Sequence, residues 1–301
     1  MLGGGCPLLR SWREGVVSAW GFPGPEYRLE QQTAFVLAGR VGSYREASPT
    51  RGLDGHFQCV WTHHIAWDED YKPIAVVPDG CVDLLWHDGR LSVVGPDIVA
   101  AHPVLLPGGT ILGLRFRPGA AINWLGLPMS EIVGQEIELA DLWGRKAHDI
   151  SAQLADVATL AGQANLLQDL LVQILPAFAA PGRDAAMMFG FLQRHAGHAD
   201  RKMSLLRDRL EVSERTLRRR SRDYFGYGAK TLDRILRFQR FQTLIGASHA
   251  PLAAVAAEAG YADQAHLSRE IKSLCGMSAA NFAGQIRSAG RFVQDRSTLE
   301  R

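Results

Sequence analysis

Arginine is concentrated in one short stretch of this 301-residue chain. Five arginines fall within eight positions: Arg215, Arg218, Arg219, Arg220 and Arg222. A guanidinium group donates two parallel hydrogen bonds to a phosphate or to the edge of a guanine base, and it stays charged at physiological pH. An apolar core does not hold five such groups, so most of them must face solvent. The stretch therefore has the chemistry needed to bind a nucleic acid.

The same pattern recurs 50 residues further along the chain. The aligned pairs are Ser213 and Asp263, Leu217 and Leu267, Arg219 and Arg269, and Arg222 and Lys272. Each copy consists of a short predicted helix, a tight turn, a Ser or Asp able to cap the next helix, and a second helix with basic residues on one side. This arrangement predicts two helix-turn-helix units, each placing its second helix in a major groove of double-stranded DNA.

The candidate DNA contacts lie on the second helix of each unit. In the first unit they are Ser213, Arg215, Thr216, Arg218, Arg219 and Arg222. In the second unit they are Gln264, Ala265, His266, Ser268, Arg269 and Lys272. Taken alone, an arginine-rich helix is more often only a solvated face, and the repeated frame is what favours DNA binding.

A long amphipathic segment at 229–245 connects the two units. Its apolar side carries Leu232, Ile235, Leu236 and Phe238. At 1.5 Å per residue such a helix spans ~25 Å, which suits two reading helices in successive major grooves.

Three segments here resemble the AraC/XylS family of transcription regulators. They are S-E-R-T-L-R-R-R at 213–220, L-R-F-Q-R at 236–240 and G-Y-A-D-Q-A-H-L-S-R-E-I-K-S-L-C-G-M-S at 260–278. The resemblance covers residues 185–288 and implies base contacts by Arg215, Arg218, Arg219, Gln264, Ala265, His266 and Arg269. It also implies RNA polymerase as a partner and an activator role, although the sequence does not determine the sign of regulation. The chain departs from the family at Ala279, where proline is usual, and at Leu267 and Ile271, where aromatic residues are usual.

The N-terminal part has a different pattern. Runs of β-branched and aromatic residues lie between Gly, Pro and Asp turns at 33–38, 57–67, 74–77, 81–87, 91–94 and 110–117. Helical patterns follow at 120–125, 139–143 and 150–178, with a short turn at 130–133. These segments predict an antiparallel barrel or sandwich followed by helices.

Two motifs resemble the uncharacterised barrel-like sensor domain of one subgroup of AraC-type regulators. They are V-V-P-D-G-C-V-D-L-L-W at 76–86 and G-L-R-F-R-P-G-A-A at 113–121. The resemblance implies an unknown small-molecule effector. The expected fold class is therefore α+β, with an N-terminal β-rich barrel-like (cupin-like) domain carrying helices and a C-terminal all-α double helix-turn-helix domain.

Charge divides the chain in the same place. Residues 1–182 hold 12 Lys and Arg against 19 Asp and Glu, and residues 183–301 hold 21 against 12. Only the second part is suited to a polyanion. The predicted domains are a sensor at 1–148, a helical linker at 149–182, the DNA-binding domain at 183–290 and a polar tail at 291–301. The apolar stripe of the linker, which includes Leu167 and Leu171, is either the seam of a homodimer or a surface packed against its own domain.

A site in the sensor domain is less well defined by the sequence. Alternation along two strands places Asp83 and Arg115 where both could face one effector pocket, and an ion pair that only pins the strands is the simpler alternative. No cofactor or metal is expected, because the adjacent His63 and His64 point to opposite faces of a strand.

Several function classes receive little support. Cys6, Cys59, Cys81 and Cys275 show no C-x-x-C spacing, so they are expected to be reduced thiols. No nucleophile and base lie at a useful spacing, so the chain is not expected to be an enzyme, although a DNA-anchored enzyme or a thiol-based sensor is the alternative. No stretch is long and apolar enough to span a membrane, and the expected location is the cytoplasm.

Overall fold

The computed structural model describes residues 35–196 and 201–288. Cys6, the predicted polar tail and the first two residues of the strand predicted at 33–38 lie outside these residues. The strands are β1 (Val36–Leu37), β2 (Ser43–Ala47), β3 (Phe57–His64), β4 (Ile74–Ala75), β5 (Asp83–His87), β6 (Arg90–Val94), β7 (Thr110–Phe116) and β8 (Glu136–Glu138). Six of them form one antiparallel sheet in the order β2-β3-β7-β5-β6-β8, and β1 and β4 pair in parallel.

The alternation predicted for 81–87 and 110–117 is confirmed. Leu84 and Trp86 are buried in one core with Leu114. Asp83 lies directly opposite Arg115 in the register of β5 and β7, on the other face of the sheet. The sheet therefore brings together the two charged residues for which the sequence left open an effector pocket or an ion pair.

Four helices follow or interrupt the sheet: α1 (Ala121–Leu125), α2 (Leu139–Trp143), α3 (Arg145–Ala155) and α4 (Leu160–Ile174). The prediction of one continuous helical segment at 150–178 is wrong, because α3 ends at Ala155 and α4 begins only at Leu160. Thr159 caps the new helix, since its Oγ1 accepts a hydrogen bond from the Gly162 backbone N at 3.1 Å.

The apolar stripe of α4 packs against its own domain. Leu167 and Leu171 have no exposed surface and belong to the same core as Leu112 and Leu114 of β7. Of the two alternatives for this stripe, packing against its own domain is the one that the structure shows, because Leu167 and Leu171 fill the core beneath the sheet.

The remaining helices form an all-α domain: α5 (Arg183–Arg194), α6 (Lys202–Leu210), α7 (Glu214–Phe225), α8 (Ala229–Ala247), α9 (Leu252–Glu258), α10 (Gln264–Cys275) and α11 (Ala279–Ser288). The predicted apolar side of the connecting helix is confirmed, since Leu232, Ile235 and Phe238 of α8 are fully buried. An antiparallel sheet domain followed by a helical domain confirms the α+β fold class.

The two domains are in contact. Leu37, Ala75 and Ala100 of the N-terminal domain are buried in the same core as the helices from α5 to α11. Among the residues that the structure describes, no helix is both long enough and apolar enough to cross a membrane.

Candidate nucleic-acid interface and inter-domain cavity

The first candidate reading helix is α7. Ser213 caps it, because its Oγ accepts a hydrogen bond from the Thr216 backbone N at 3.2 Å. Leu217 is buried on the inner side. The exposed side carries Arg215, Arg218, Arg219 and Arg222. Arg220 has another role, since its Nη1 lies 3.1 Å from Oδ2 of Asp184 on α5 and this ion pair holds α7 in place.

The second candidate reading helix, α10, is built in the same way. Asp263 caps it, with Oδ1 accepting a hydrogen bond from the His266 backbone N at 2.5 Å. Leu267 and Ile271 are fully buried on the inner side. The exposed side carries Gln264, Ala265, Arg269 and Lys272. The 50-residue repeat in the sequence is thus a repeat of cap, buried stripe and exposed stripe.

Some predicted contacts of α10 already have partners within the domain. The His266 ring lies edge-on to Tyr261, with 5.3 Å between ring centroids. Ser268 donates a hydrogen bond from Oγ to the Gln264 carbonyl at 2.8 Å. Lys272 donates from Nζ to the Gly276 carbonyl at 2.7 Å, which satisfies a free carbonyl at the end of the helix. The exposed Gln264 and Arg269 are the side chains of this helix best placed to reach bases.

Ion pairs on α8 join it to both units, and no pattern in the sequence predicted them. Lys202 on α6 is buried, and its Nζ lies 2.7 Å from Asp233 Oδ1 on α8. The next residue, Arg234, lies with Nε 2.7 Å from Glu270 Oε2 and donates from Nη2 to Ser273 Oγ at 2.8 Å, both on α10. The connecting helix is therefore bonded to the first unit on one side and to the second unit on the other.

The N-terminal domain touches each unit away from its exposed arginines. At the end of α7, Gly226 has φ +81°, and a Cβ there would lie 2.5 Å from Cγ2 of Val133. Glycine permits both the left-handed backbone and this close approach. At the end of α10, the Leu274 carbonyl accepts a hydrogen bond from the Ala100 N at 2.6 Å. Both reading faces remain exposed while both units are held.

A cavity of about 370 Å³ lies between the sheet and α8. Residues of both domains line it, among them Tyr44, Trp61, Asp83 and Arg115 from the sheet and Gln239 and Gln242 from α8. Gln239 also donates a hydrogen bond from Nε2 to the Pro78 carbonyl at 2.6 Å, across the domain boundary. The cavity therefore adjoins the helix that connects the two reading units.

Asp83 and Arg115 form an ion pair, which was the simpler of the two alternatives, and both side chains also line this cavity. Arg115 donates from Nε and Nη2 to the two carboxylate oxygens of Asp83, each at 3.1 Å. Its Nη2 also lies 3.1 Å from Oδ2 of Asp79, a second partner in the loop that precedes β5. Trp61 donates from Nε1 to Asp83 at 3.2 Å across Gly113, where a Cβ would lie 2.1 Å from the indole.

Asp97 adds a third carboxyl group to this cluster. Burial, together with repulsion from Asp79 and Asp83, raises the pKa of Asp97 from 3.8 to about 7. A carboxyl group whose pKa is higher in the folded state binds more protons there, so it destabilises the fold as pH rises from about 4 to about 7.

Asp97→Asn is therefore expected to raise thermal stability, and more at pH 8 than at pH 5. Asparagine mimics the protonated acid and removes the charge that the fold disfavours. The gain at pH 8 should be several degrees, at about 2–4 °C per kcal/mol. Differential scanning fluorimetry of both chains at the two pH values measures it, and an equal change at pH 5 and pH 8 would contradict the assignment.

Among the described residues of this domain, two thiols and one histidine are constrained by their surroundings. Burial raises the pKa of Cys59 to about 12 and that of Cys81 above its usual range, so both thiols stay protonated. His63 is buried, and its Nε2 lies 2.6 Å from the Val41 carbonyl. Within 35–196 and 201–288 no group of His, Cys, Asp or Glu side chains has the arrangement of a metal site.

Comparison with known proteins gives two family matches. Residues 206–285 match the helix-turn-helix domain, and residues 45–138 match a domain of unknown function, DUF6597. No curated protein matches the chain. Among solved structures, ToxT from Vibrio cholerae O395 is 9% identical with a TM-score of 0.41, covering 75% of this chain and 96% of ToxT. Wild-type ToxT from Vibrio cholerae strain SCE256, bound to an unsaturated fatty acid, is 11% identical with a TM-score of 0.42, covering 74% and 94%.

Two capped helices with exposed cationic faces, joined by one rigid helix, define a double helix-turn-helix DNA-binding protein. Residues 206–285 form a helix-turn-helix domain of the AraC type, and the chain is a DNA-binding transcription regulator.

Proposed function

We propose that this regulator responds to a small-molecule effector that occupies the inter-domain cavity. The observation that carries the proposal is the shared lining of the cavity. Asp83 and Arg115 contribute from the sheet, and Gln239 and Gln242 contribute from α8. Because α8 is bonded to both reading units, a ligand that contacts it would change their relative placement and hence the affinity for DNA.

We further propose which side chains contact DNA. Bases are read by Arg215, Arg218 and Arg219 on α7 and by Gln264, Ala265, His266 and Arg269 on α10. Ser213, Thr216, Arg222, Ser268 and Lys272 hold the phosphates. The exposure of the arginines on both helices supports this assignment. One chain would cover two successive major grooves, or about 20 base pairs.

Arg219→Ala and Arg269→Ala are each expected to weaken binding to the selected site by about 1–3 kcal/mol. Each would also relax the base preference within one half of that site, because a bidentate contact to one base is lost. Selection of duplexes from a random library with the full chain, followed by fluorescence anisotropy, measures both effects.

Arg222→Ala serves as the control within the same helix. It should weaken binding to every sequence alike, as loss of a phosphate contact does. The slope of log affinity against log salt concentration should become smaller by about one. If all three variants lose affinity uniformly across sequences, the base-reading assignment is wrong.

We propose a sensor whose sheet lies within 1–148 and whose helices at 149–182 pack on that sheet, followed by a DNA-binding domain at 183–290 and a tail at 291–301. The packing of α4 in the core of the sheet supports assigning 149–182 to the body of the sensor.

RNA polymerase is the proposed partner at promoters, activation is the proposed effect, and the cytoplasm is the proposed location. A homodimer on a repeated site would use a surface other than the buried stripe of α4, and sedimentation at micromolar concentration tests for it.

We also propose that the chain is not an enzyme. The raised pKa of Cys59 and Cys81 supports this, because a protonated thiol is a poor nucleophile. Mass spectrometry after incubation with an alkylated duplex would show transfer to a cysteine if the alternative, a DNA-anchored enzyme, were correct.

A further inference from the structure

The charges around the cavity are unbalanced. At one end of the lining, the Arg115 guanidinium pairs with two carboxylates, those of Asp79 and Asp83, each 3.1 Å from its Nη2. Arg40, which also lines the cavity, is exposed and donates a hydrogen bond to Ser288 on α11, so its charge is screened by solvent. The buried end of the cavity is therefore negative.

An anionic ligand does not suit this end. The guanidinium donates from Nε and Nη2 to Asp83, and its Nη2 also faces Asp79. A ligand carboxylate would have to displace one of these aspartates and would then lie beside it, which leaves a buried like-charge pair. Arg115 therefore balances protein carboxylates and is not free to recruit a ligand carboxylate.

The walls favour a ligand with an apolar body. Tyr44 and Trp61 stand side by side with 5.7 Å between ring centroids, and Leu37, Leu85 and Ile111 complete much of the lining. An aromatic face next to carboxylates attracts a cation through the ring quadrupole as well as by direct charge.

The helical domain supplies a polar contact on the opposite wall. Gln242 of α8 has a buried Oε1 that accepts no hydrogen bond from the residues that the structure describes. A buried acceptor without a donor is unfavourable, and a ligand N–H group would satisfy it.

We propose that the inter-domain cavity binds an organic cation with an apolar body, of the alkylammonium or arylalkylammonium class. Asp79 and Asp83 are its counter-ions, Tyr44 and Trp61 its aromatic wall, and Gln242 its contact with the DNA-binding domain. This deepens the proposed function, on which the identification of the cavity as an effector site rests.

Isothermal titration calorimetry of the full chain with three probes on one skeleton tests the ligand class. The probes are 2-phenylethylammonium, 2-phenylethanol and phenylacetate, which are a cation, a neutral molecule and an anion at neutral pH. The cation is expected to bind at least about tenfold more tightly than the alcohol. Tighter binding of phenylacetate, equal binding of all three, or no binding of the cation would overturn the proposal.

Two variants test whether the cation binds in the cavity. Asp79→Asn should weaken cation binding about tenfold, while Asp68→Asn, the same change at an exposed position outside the lining, should leave it unchanged. Tyr44→Leu keeps every carboxylate. It should reduce the affinity for the cation more than the affinity for the alcohol. Unchanged affinity in both Asp79→Asn and Tyr44→Leu would show that the cation binds elsewhere.

The same samples separate this proposal from the proposed function. Operator affinity, measured by anisotropy with and without the cation, reports on regulation alone. A cation that binds in the cavity without changing operator affinity supports the ligand class and contradicts effector control. An operator affinity that changes only with phenylacetate supports effector control and overturns the ligand class.

Discussion

A chain carrying Leu167→Glu and Leu171→Glu is expected to lose its folded N-terminal domain. Both leucines are completely buried in the core beneath the sheet. Two carboxylates placed there would have no partners, and each substitution would cost more than about 4 kcal/mol, so that the sum is comparable to the whole stability of a domain. Circular dichroism and tryptophan fluorescence measure the loss, since all seven tryptophans precede residue 183.

The control uses two exposed positions of the same helix. Asn165→Glu and Gln173→Glu add the same charge to α4, and both side chains face solvent, so the chain should stay folded. A folded Leu167→Glu, Leu171→Glu chain that has only changed from dimer to monomer in sedimentation would restore the dimer seam and refute the packing described above.

Asp83→Ala is expected to destabilise the same domain by about 3–5 kcal/mol. The substitution removes two hydrogen-bond acceptors from Arg115 and one from Trp61, and it leaves a buried guanidinium facing only Asp79. Urea unfolding followed by tryptophan fluorescence gives the midpoint for the sheet domain. Asp68→Ala, which removes an exposed carboxylate, should change the free energy of unfolding by less than about 0.5 kcal/mol.

A double substitution separates the loss of the pair from the loss of one partner. Asp83→Leu with Arg115→Leu removes both charges, so it should be less destabilising than Asp83→Ala alone, because no unpaired charge stays buried. If the double variant is the less stable of the two, the ion pair itself contributes the stability.

The helical domain was predictable because its determinants are local. Ser213 and Asp263 cap the reading helices, and glycines at 226 and 276 end them in the left-handed conformation, so the boundaries of α7 and α10 follow from neighbouring residues. The 50-residue repeat then indicated that both helices are the second, DNA-reading helices of helix-turn-helix units. The pairing of Asp83 with Arg115 followed from alternation along two strands, which is also a local pattern.

Other features depend on contacts between distant residues, and the sequence alone did not reveal them. The edge strands β2 and β8 are short and carry charges, so they lack the apolar alternation of a central strand. The bonds of Arg234 to Glu270 and of Gln239 to Pro78 join positions that only the folded chain brings together. The contribution of α8 to the cavity was missed for this reason.

The N-terminal domain holds both helix-turn-helix units from behind, at Gly226 and Leu274, and leaves their arginines exposed. Under the proposed function, control by this domain would therefore act on the angle and distance between the units and not by covering the surface that meets DNA. Such control is reciprocal, because a ligand that changes operator affinity by some factor has its own affinity changed by that same factor when the operator binds. A promoter-bound copy of the regulator would thus bind its effector with a different affinity from a free copy, so that the effector concentration needed for half-occupancy differs between the two.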